Sequence, residues 1–167
     1  MKLLTLIVII GISANCFGQD IGNKMADIIK DQLINKQVDS TQEIIFLSRG
    51  SVLAPRLCIN KRTGTIDSER GELKCGQLLI NYDIGLMAGT HAASGNKNTF
   101  YWYDEKLFNG NKICIGLKKE NDRWKLVMTI RSDADVRKEP ANFWAEVKNA
   151  DDAKQVVIIG FSYKPKD

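Results

Sequence analysis

The sequence predicts an α+β fold: an antiparallel β-sheet packed by an N-terminal helix and by a second helix near the C-terminus. A mostly-β sandwich or barrel is the alternative. Three observations carry this expectation. Apolar residues recur at helical spacing near the N-terminus, the period shortens from Thr41 onward, and Asn149 opens a capped apolar stretch near the end.

The chain starts with Met1-Lys2 and an apolar run from Leu3 to Ile12, interrupted by Thr5 and Gly11. A bilayer span needs roughly 20 apolar residues, so the run reads as the core of a secretory leader. Small residues at Ala14, Cys16 and Gly18 offer cleavage sites. Residues 1–18 are expected to be a signal peptide cut between Gly18 and Gln19, and residues 19–167 a single globular domain. The protein is then secreted or periplasmic, with no transmembrane span in the mature chain. The alternative is a lipoprotein anchored at Cys16, although that signal wants a small residue where Asn15 stands.

Ile21, Met25, Ile28, Ile29 and Leu33 then form a helical stripe, with Asp20 placed to cap it. Strands follow at Ile44–Leu47, Leu57–Ile59 and Leu78–Tyr82, punctuated by Arg49-Gly50, Thr63-Gly64 and Arg70-Gly71. The clearest hairpin joins Lys112–Lys118 to Arg123–Arg131 through Lys119–Asp122. Ile113, Ile115 and Leu117 line one face of its first strand, and Trp124, Leu126, Met128 and Ile130 one face of its partner. Thr90–Asn98, rich in small and polar residues, reads as a loop. Asn142–Lys148 reads as a strand with Phe143, Ala145 and Val147 on one face and Trp144 on the other. Asn149, Asp151 and Asp152 suit a helix start, and Gly160 could end that helix before a last strand at Phe161–Lys164. The competing reading makes Val156–Tyr163 one buried strand, because Val and Ile suit a sheet.

The charge balance, 24 Lys and Arg against 20 Asp and Glu, is too mild for a nucleic-acid-binding domain, which usually shows clustered basic residues. Removal of the leader leaves Cys58, Cys75 and Cys114. In an oxidising compartment two of these can join, and Cys58 with Cys75 would staple a hairpin across the loop Asn60–Lys74. No CxxC pair supports a redox or zinc motif.

The leader ending Cys16-Phe17-Gly18-Gln19 resembles those of exported proteins from Bacteroidota. The segments Gly64-Thr65-Ile66-Asp67-Ser68 and Asn81-Tyr82-Asp83-Ile84-Gly85 resemble a pattern in small secreted proteins of that group that lack an assigned activity. The resemblance implies export and supplies no catalytic residue.

Chemistry in the sequence is sparse. His91 is the single histidine, and a nucleophile–base arrangement would have to join it to Asp83 or to the thiol of Cys75 or Cys114. The carboxylate pairs Asp67/Glu69, Asp104/Glu105, Asp133/Asp135 and Asp151/Asp152 are sequence neighbours, which rarely bracket a cleft as glycoside hydrolysis requires. No metal or cofactor is expected. The distinctive feature is Phe100-Tyr101-Trp102-Tyr103. On a strand Phe100 and Trp102 would point one way and Tyr101 and Tyr103 the other, so that one face serves the core and the other is either covered by a helix or loop or left as an exposed aromatic platform. The sequence therefore predicts a non-catalytic exported binding protein, with a protein or glycan ligand held by Tyr101, Tyr103, Trp144 and the His91 loop. The alternative is a small envelope hydrolase using His91 with an acid or thiol.

Overall fold

The computed structural model describes residues 19–32, 42–64, 67–86, 88, 97–108, 110–132 and 139–166. The leader, the loop carrying His91, Leu33 and the pair Asp133/Asp135 lie outside them. Helix α1 covers residues 19–32. There follow β1 (Gln42–Leu47), β2 (Gly50–Pro55), β3 (Ile59–Gly64), β4 (Glu69–Cys75), β5 (Leu78–Ile84), a 3₁₀ turn (Lys97–Thr99), β6 (Trp102–Phe108), β7 (Asn111–Glu120), β8 (Arg123–Ser132), β9 (Ala141–Val147), α2 (Ala150–Phe161) and β10 (Lys164–Pro165).

The strands form two antiparallel sheets, one of three strands in the order β1-β2-β10 and one of seven in the order β3-β4-β5-β9-β8-β7-β6. The large sheet is two meanders. After β5 the chain crosses to the far edge at β6 and winds back, so that β9 closes against β5. The β7–β8 hairpin is longer than its sequence suggests. Both strands extend to a two-residue turn, Asn121-Asp122, in which both residues have positive φ, the backbone that a type I′ hairpin turn demands.

Period-two alternation divides the large sheet into two faces. Ile113, Ile115 and Leu117 pair with Ile130, Met128 and Leu126, which in turn pair with Ala141, Phe143 and Ala145. These residues are buried with Leu73, Ile80 and Tyr82 beneath both helices and the small sheet. Each fully buried Leu, Ile or Phe contributes about 1.5–3 kcal/mol, so this face supplies most of the stabilisation.

Helix α1 inserts Met25 and Ile29 into this core, yet its buried stripe is Gly22, Met25, Ala26, Ile29 and Gln32, leaving Ile21 at the margin. The rotation follows from Gly22, where a Cβ would stand 2.6 Å from the Trp124 ring. Asp20 lies inside the helix and pairs with Lys24 at 2.8 Å, rather than serving as its cap.

Asn149 does cap α2, its Oδ1 accepting from the Asp152 amide at 2.9 Å, while Asp152 Oδ2 accepts from the Lys148 amide. Residues 150–161 are therefore helical despite their Val and Ile. Their buried stripe, Ala153, Val156, Val157 and Gly160, has helical spacing and faces the core. Gly160 does not end the helix. It lies within it because a Cβ there would stand 2.5 Å from Met128 Sδ, and the chain turns at Ser162 instead. The terminal strand is accordingly Lys164–Pro165, not Phe161–Lys164.

Buried Glu69 anchors the small sheet by accepting the Ser48 and Arg49 amides at 2.9 and 2.8 Å, and Tyr163 donates its hydroxyl to the Arg49 carbonyl. Cys58 and Cys75 are joined by a disulfide across the β3–β4 hairpin, as their spacing suggested. Leu57, expected on a strand, instead occupies the turn after β2 with φ of 74°.

Candidate functional site

The second face of the large sheet lies opposite the helices, and two cross-strand rows on it bring together the residues that carry chemistry. In the first row Tyr103 faces Gly116, which faces Val127, then Trp144, then Asn81. Gly116 leaves no side chain on the sheet, and Phe100, arriving from the 3₁₀ turn, fills the gap. A Cβ on Gly116 would stand 2.4 Å from its ring. Phe100 and Tyr103 rings meet at 5.5 Å between centroids, and with Trp144 they pack on buried Cys114 and Val127. Tyr103 and Trp144 are three strand spacings apart, about 14 Å, so the row forms one aromatic stripe across four strands.

The adjacent row runs Glu105, Cys114, Thr129, Asn142, Asp83 and Arg70. Thr129 donates to Asn142 Oδ1 at 2.7 Å, and Asn142 donates to the Asp83 carbonyl at 3.4 Å. Arg70 Nε reaches Asp83 Oδ2 at 3.1 Å, whereas Asp83 Oδ1 is buried without a hydrogen-bond partner.

At the Tyr103 end the charges are concentrated. Glu105 accepts the Tyr103 hydroxyl at 2.6 Å and the ammonium groups of Lys112 at 2.7 Å and Lys97 at 2.9 Å. Lys97 also stands 5.0 Å from the Tyr103 ring centroid. Lys112 first, then Tyr103 and Lys97, hold the Glu105 carboxyl down at about 2. Burial, and then the bond to Glu105, push the Tyr103 hydroxyl upward. Glu105 is thus a fixed carboxylate and Tyr103 a neutral phenol near neutral pH. Efficient general acids and bases titrate near their working pH, which neither group does.

Tyr103 and Trp144 therefore share one surface, but Tyr101 does not join them. Strict alternation through Phe100–Tyr103 fails because β6 begins only at Trp102. Tyr101 turns toward α1, stacks edge-on against Trp124 at 5.0 Å and donates to Asn23 Oδ1 at 2.6 Å. Trp102 faces Leu117 on the core side. Beside Trp124 lies an open cleft of about 630 Å³, walled by Ile21 and Val147 and rimmed by the ion pairs Lys119–Asp122 and Arg123–Glu146.

The thiol readings narrow. Cys75 is spent in the disulfide, and Cys114 is fully buried. Cys114 and Asp83 occupy the same row but three strands apart, about 14 Å, too far to serve as the nucleophile and the orienting acid on either side of one histidine. His91 lies outside the described residues, among which no cluster of three or more His, Cys, Asp and Glu is arranged to hold a metal. Sequence reasoning missed Phe100, Glu105, Lys97 and Lys112 as members of the site. The available signal was Gly116 in an otherwise apolar strand, which marks a close approach by another group. Comparison with known proteins finds no matching family model, no matching curated protein and no matching solved structure.

Proposed function

We propose that this chain is an exported, non-catalytic binding protein whose ligand, a protein or glycan, lies along the Tyr103–Phe100–Trp144 stripe. The observation that supports this reading is the stripe itself. Three partly exposed rings stand in one row of a rigid sheet, on the face away from the helices, with ion pairs fixed at one end. Rings held in this way lose little side-chain entropy on binding, and Tyr and Trp dominate interface hot spots. The Glu105 and Lys112 charges would orient a polar ligand rather than transfer its protons.

The disulfide supports export to an oxidising compartment, where such bonds persist. No helix among the described residues is long and apolar enough to cross a membrane. Export with cleavage near Gly18-Gln19 is part of the same proposal, as is the likeness to secreted Bacteroidota proteins.

A glycan array and an affinity capture from the native envelope test the reading. Trp144→Ala and Tyr103→Ala are expected to lose the captured ligand while keeping a wild-type melting curve, and Tyr101→Ala and His91→Ala to retain it. A turnover abolished by His91→Ala would replace the binding reading with the hydrolase.

A further inference from the structure

The four strands that carry the aromatic stripe also carry an uneven charge. Alternation places Lys112, Lys118, Arg123, Lys125 and Arg131 on the stripe's face of β7 and β8, and Lys97 joins them from the 3₁₀ turn. On the same face of β6–β9 the acids are Glu105, Glu120 and Glu146. Six cations thus meet three acids, an excess of three, against a formal net charge of +4 for the whole chain.

The ion pairs show where the excess sits. Glu105 holds both Lys112 and Lys97, and Glu120 holds both Lys118 and Lys125, at 2.5 and 3.5 Å. Each of these carboxylates can neutralise only one of its two ammonium groups. Glu146 balances Arg123, and exposed Arg131 forms no ion pair among the described residues. Register adds to the imbalance, because Lys112 stands directly opposite Arg131 and Lys118 directly opposite Lys125. Like charges placed opposite each other destabilise a sheet, and an anion bound beside them relieves that repulsion.

Two of the cations lie against the rings of the stripe. Lys97 Nζ is 5.0 Å from the Tyr103 ring centroid, and Lys118 Nζ is 6.0 Å from that of Phe100. A group stacked on these rings meets ammonium groups at once. At the other end Trp144 is flanked by Asn81, its partner in register, and by Glu146, two residues along β9. The oxygens of both can accept from hydroxyl groups.

We propose that the stripe takes a polyuronate, a linear polysaccharide with one carboxylate on each sugar. Its ring faces would lie on Trp144, Phe100 and Tyr103, its carboxylates would meet Lys97, Lys118 and Lys125, and its hydroxyls would reach Asn81 and Glu146. The proposal rests on the binding reading above and narrows its ligand to one class. Charge density favours this class. The stripe offers about one surplus charge per strand spacing of about 4.8 Å, which is close to the length of one pyranose. A DNA backbone carries charge without hydroxyl donors for Glu146, and an acidic peptide lacks the flat polyhydroxylated ring.

Calorimetric titration of the purified protein with polygalacturonate tests the proposal, with its methyl ester, neutral dextran, dextran sulfate, polyglutamate and oligo(dT) as comparisons. Polygalacturonate is expected to bind, more weakly as salt rises, and esterification of its carboxylates to abolish binding. Lys118→Gln with Lys125→Gln should lower the affinity about tenfold or more, the factor for losing one charge-assisted hydrogen bond, and flatten the salt dependence. Trp144→Ala should abolish binding while the melting curve stays that of wild type. Absence of binding to polygalacturonate at low salt, or indifference to the lysine substitutions, overturns the proposal. So does equal or tighter binding of dextran sulfate, polyglutamate or oligo(dT). Equal binding of the methyl ester or of dextran, lost in Trp144→Ala, overturns the polyuronate and leaves the binding reading standing.

Discussion

The ring of Phe100 lies on the bare α-carbon of Gly116, where a Cβ would come within 2.4 Å of it. The same device recurs on the core face. Tyr82 crosses Gly71, its partner in register, and a Cβ on Gly71 would stand 2.3 Å from the Tyr82 hydroxyl and ring. In both cases a glycine that weakens its strand is covered by an aromatic ring from a neighbouring segment. The two positions differ in what the ring can do if displaced.

Phe100 is partly exposed and can swing outward, whereas Tyr82 is fully buried and bonded through its hydroxyl to Asn60 Oδ1 at 2.9 Å. Gly116→Ala is expected to cost about 1 kcal/mol and Gly71→Ala about 3 kcal/mol or more, the two ends of the overpacking range. Urea denaturation measures both. Equal losses would show that the Phe100 ring is as constrained as Tyr82.

Loss of the disulfide should act mainly on the unfolded chain. The bridge spans a sequence separation of 17, and Cys58→Ala with Cys75→Ala is expected to lower stability by roughly 3 kcal/mol on the loop-entropy model. Cys114 should resist maleimide in the folded protein and react once it is denatured, because it is fully buried. Urea denaturation reads the first outcome and peptide mapping of the maleimide adducts by mass spectrometry the second; a bridge to Cys114 in the non-reduced protein would contradict both.

The β7–β8 hairpin was legible in the sequence because Ile113, Ile115 and Leu117 on one strand and Leu126, Met128 and Ile130 on the other recur with period two, although both faces are buried at mid-strand. The disulfide was legible because its cysteines close a hairpin. Strand β3 was not, since Ile59–Gly64 is a polar edge strand with no buried row, and the apolar pair Leu57-Cys58 drew the strand assignment away from it. Tyr103 and Trp144 were recoverable from strand period. Tyr101 was not, because its direction is set by Asn23 and Trp124, distant in sequence. The Glu105 cluster escaped for the same reason: Lys97 comes from a turn and Lys112 from the neighbouring strand.

Leu57 offers a stability test through its backbone conformation. Its left-handed backbone costs about 1–2 kcal/mol relative to the usual conformations, and its exposed side chain returns almost nothing. Asn tolerates this conformation, so Leu57→Asn should raise stability by about 0.5–1 kcal/mol, seen as a higher urea midpoint with an unchanged slope. A fall in the midpoint would mean that Leu57 packs in solution.

The Glu105 cluster predicts an acid-sensitive element. Its carboxyl is lowered from 4.5 to about 2 by Lys112, Tyr103 and Lys97, so the folded state binds this proton less readily than the unfolded chain. The stability that this group contributes is therefore fully present above about pH 4.5. It declines as pH falls through the unfolded value and is gone below the folded value of about 2. Glu105→Gln removes the titration, so wild type and variant should differ in melting temperature at pH 6 and converge toward pH 2, the lower limit of that window. The variant should also release Lys97 from the Tyr103 ring and weaken any ligand that the Tyr103 end of the stripe holds. A constant gap between the two proteins across this range would show that Glu105 acts through packing alone.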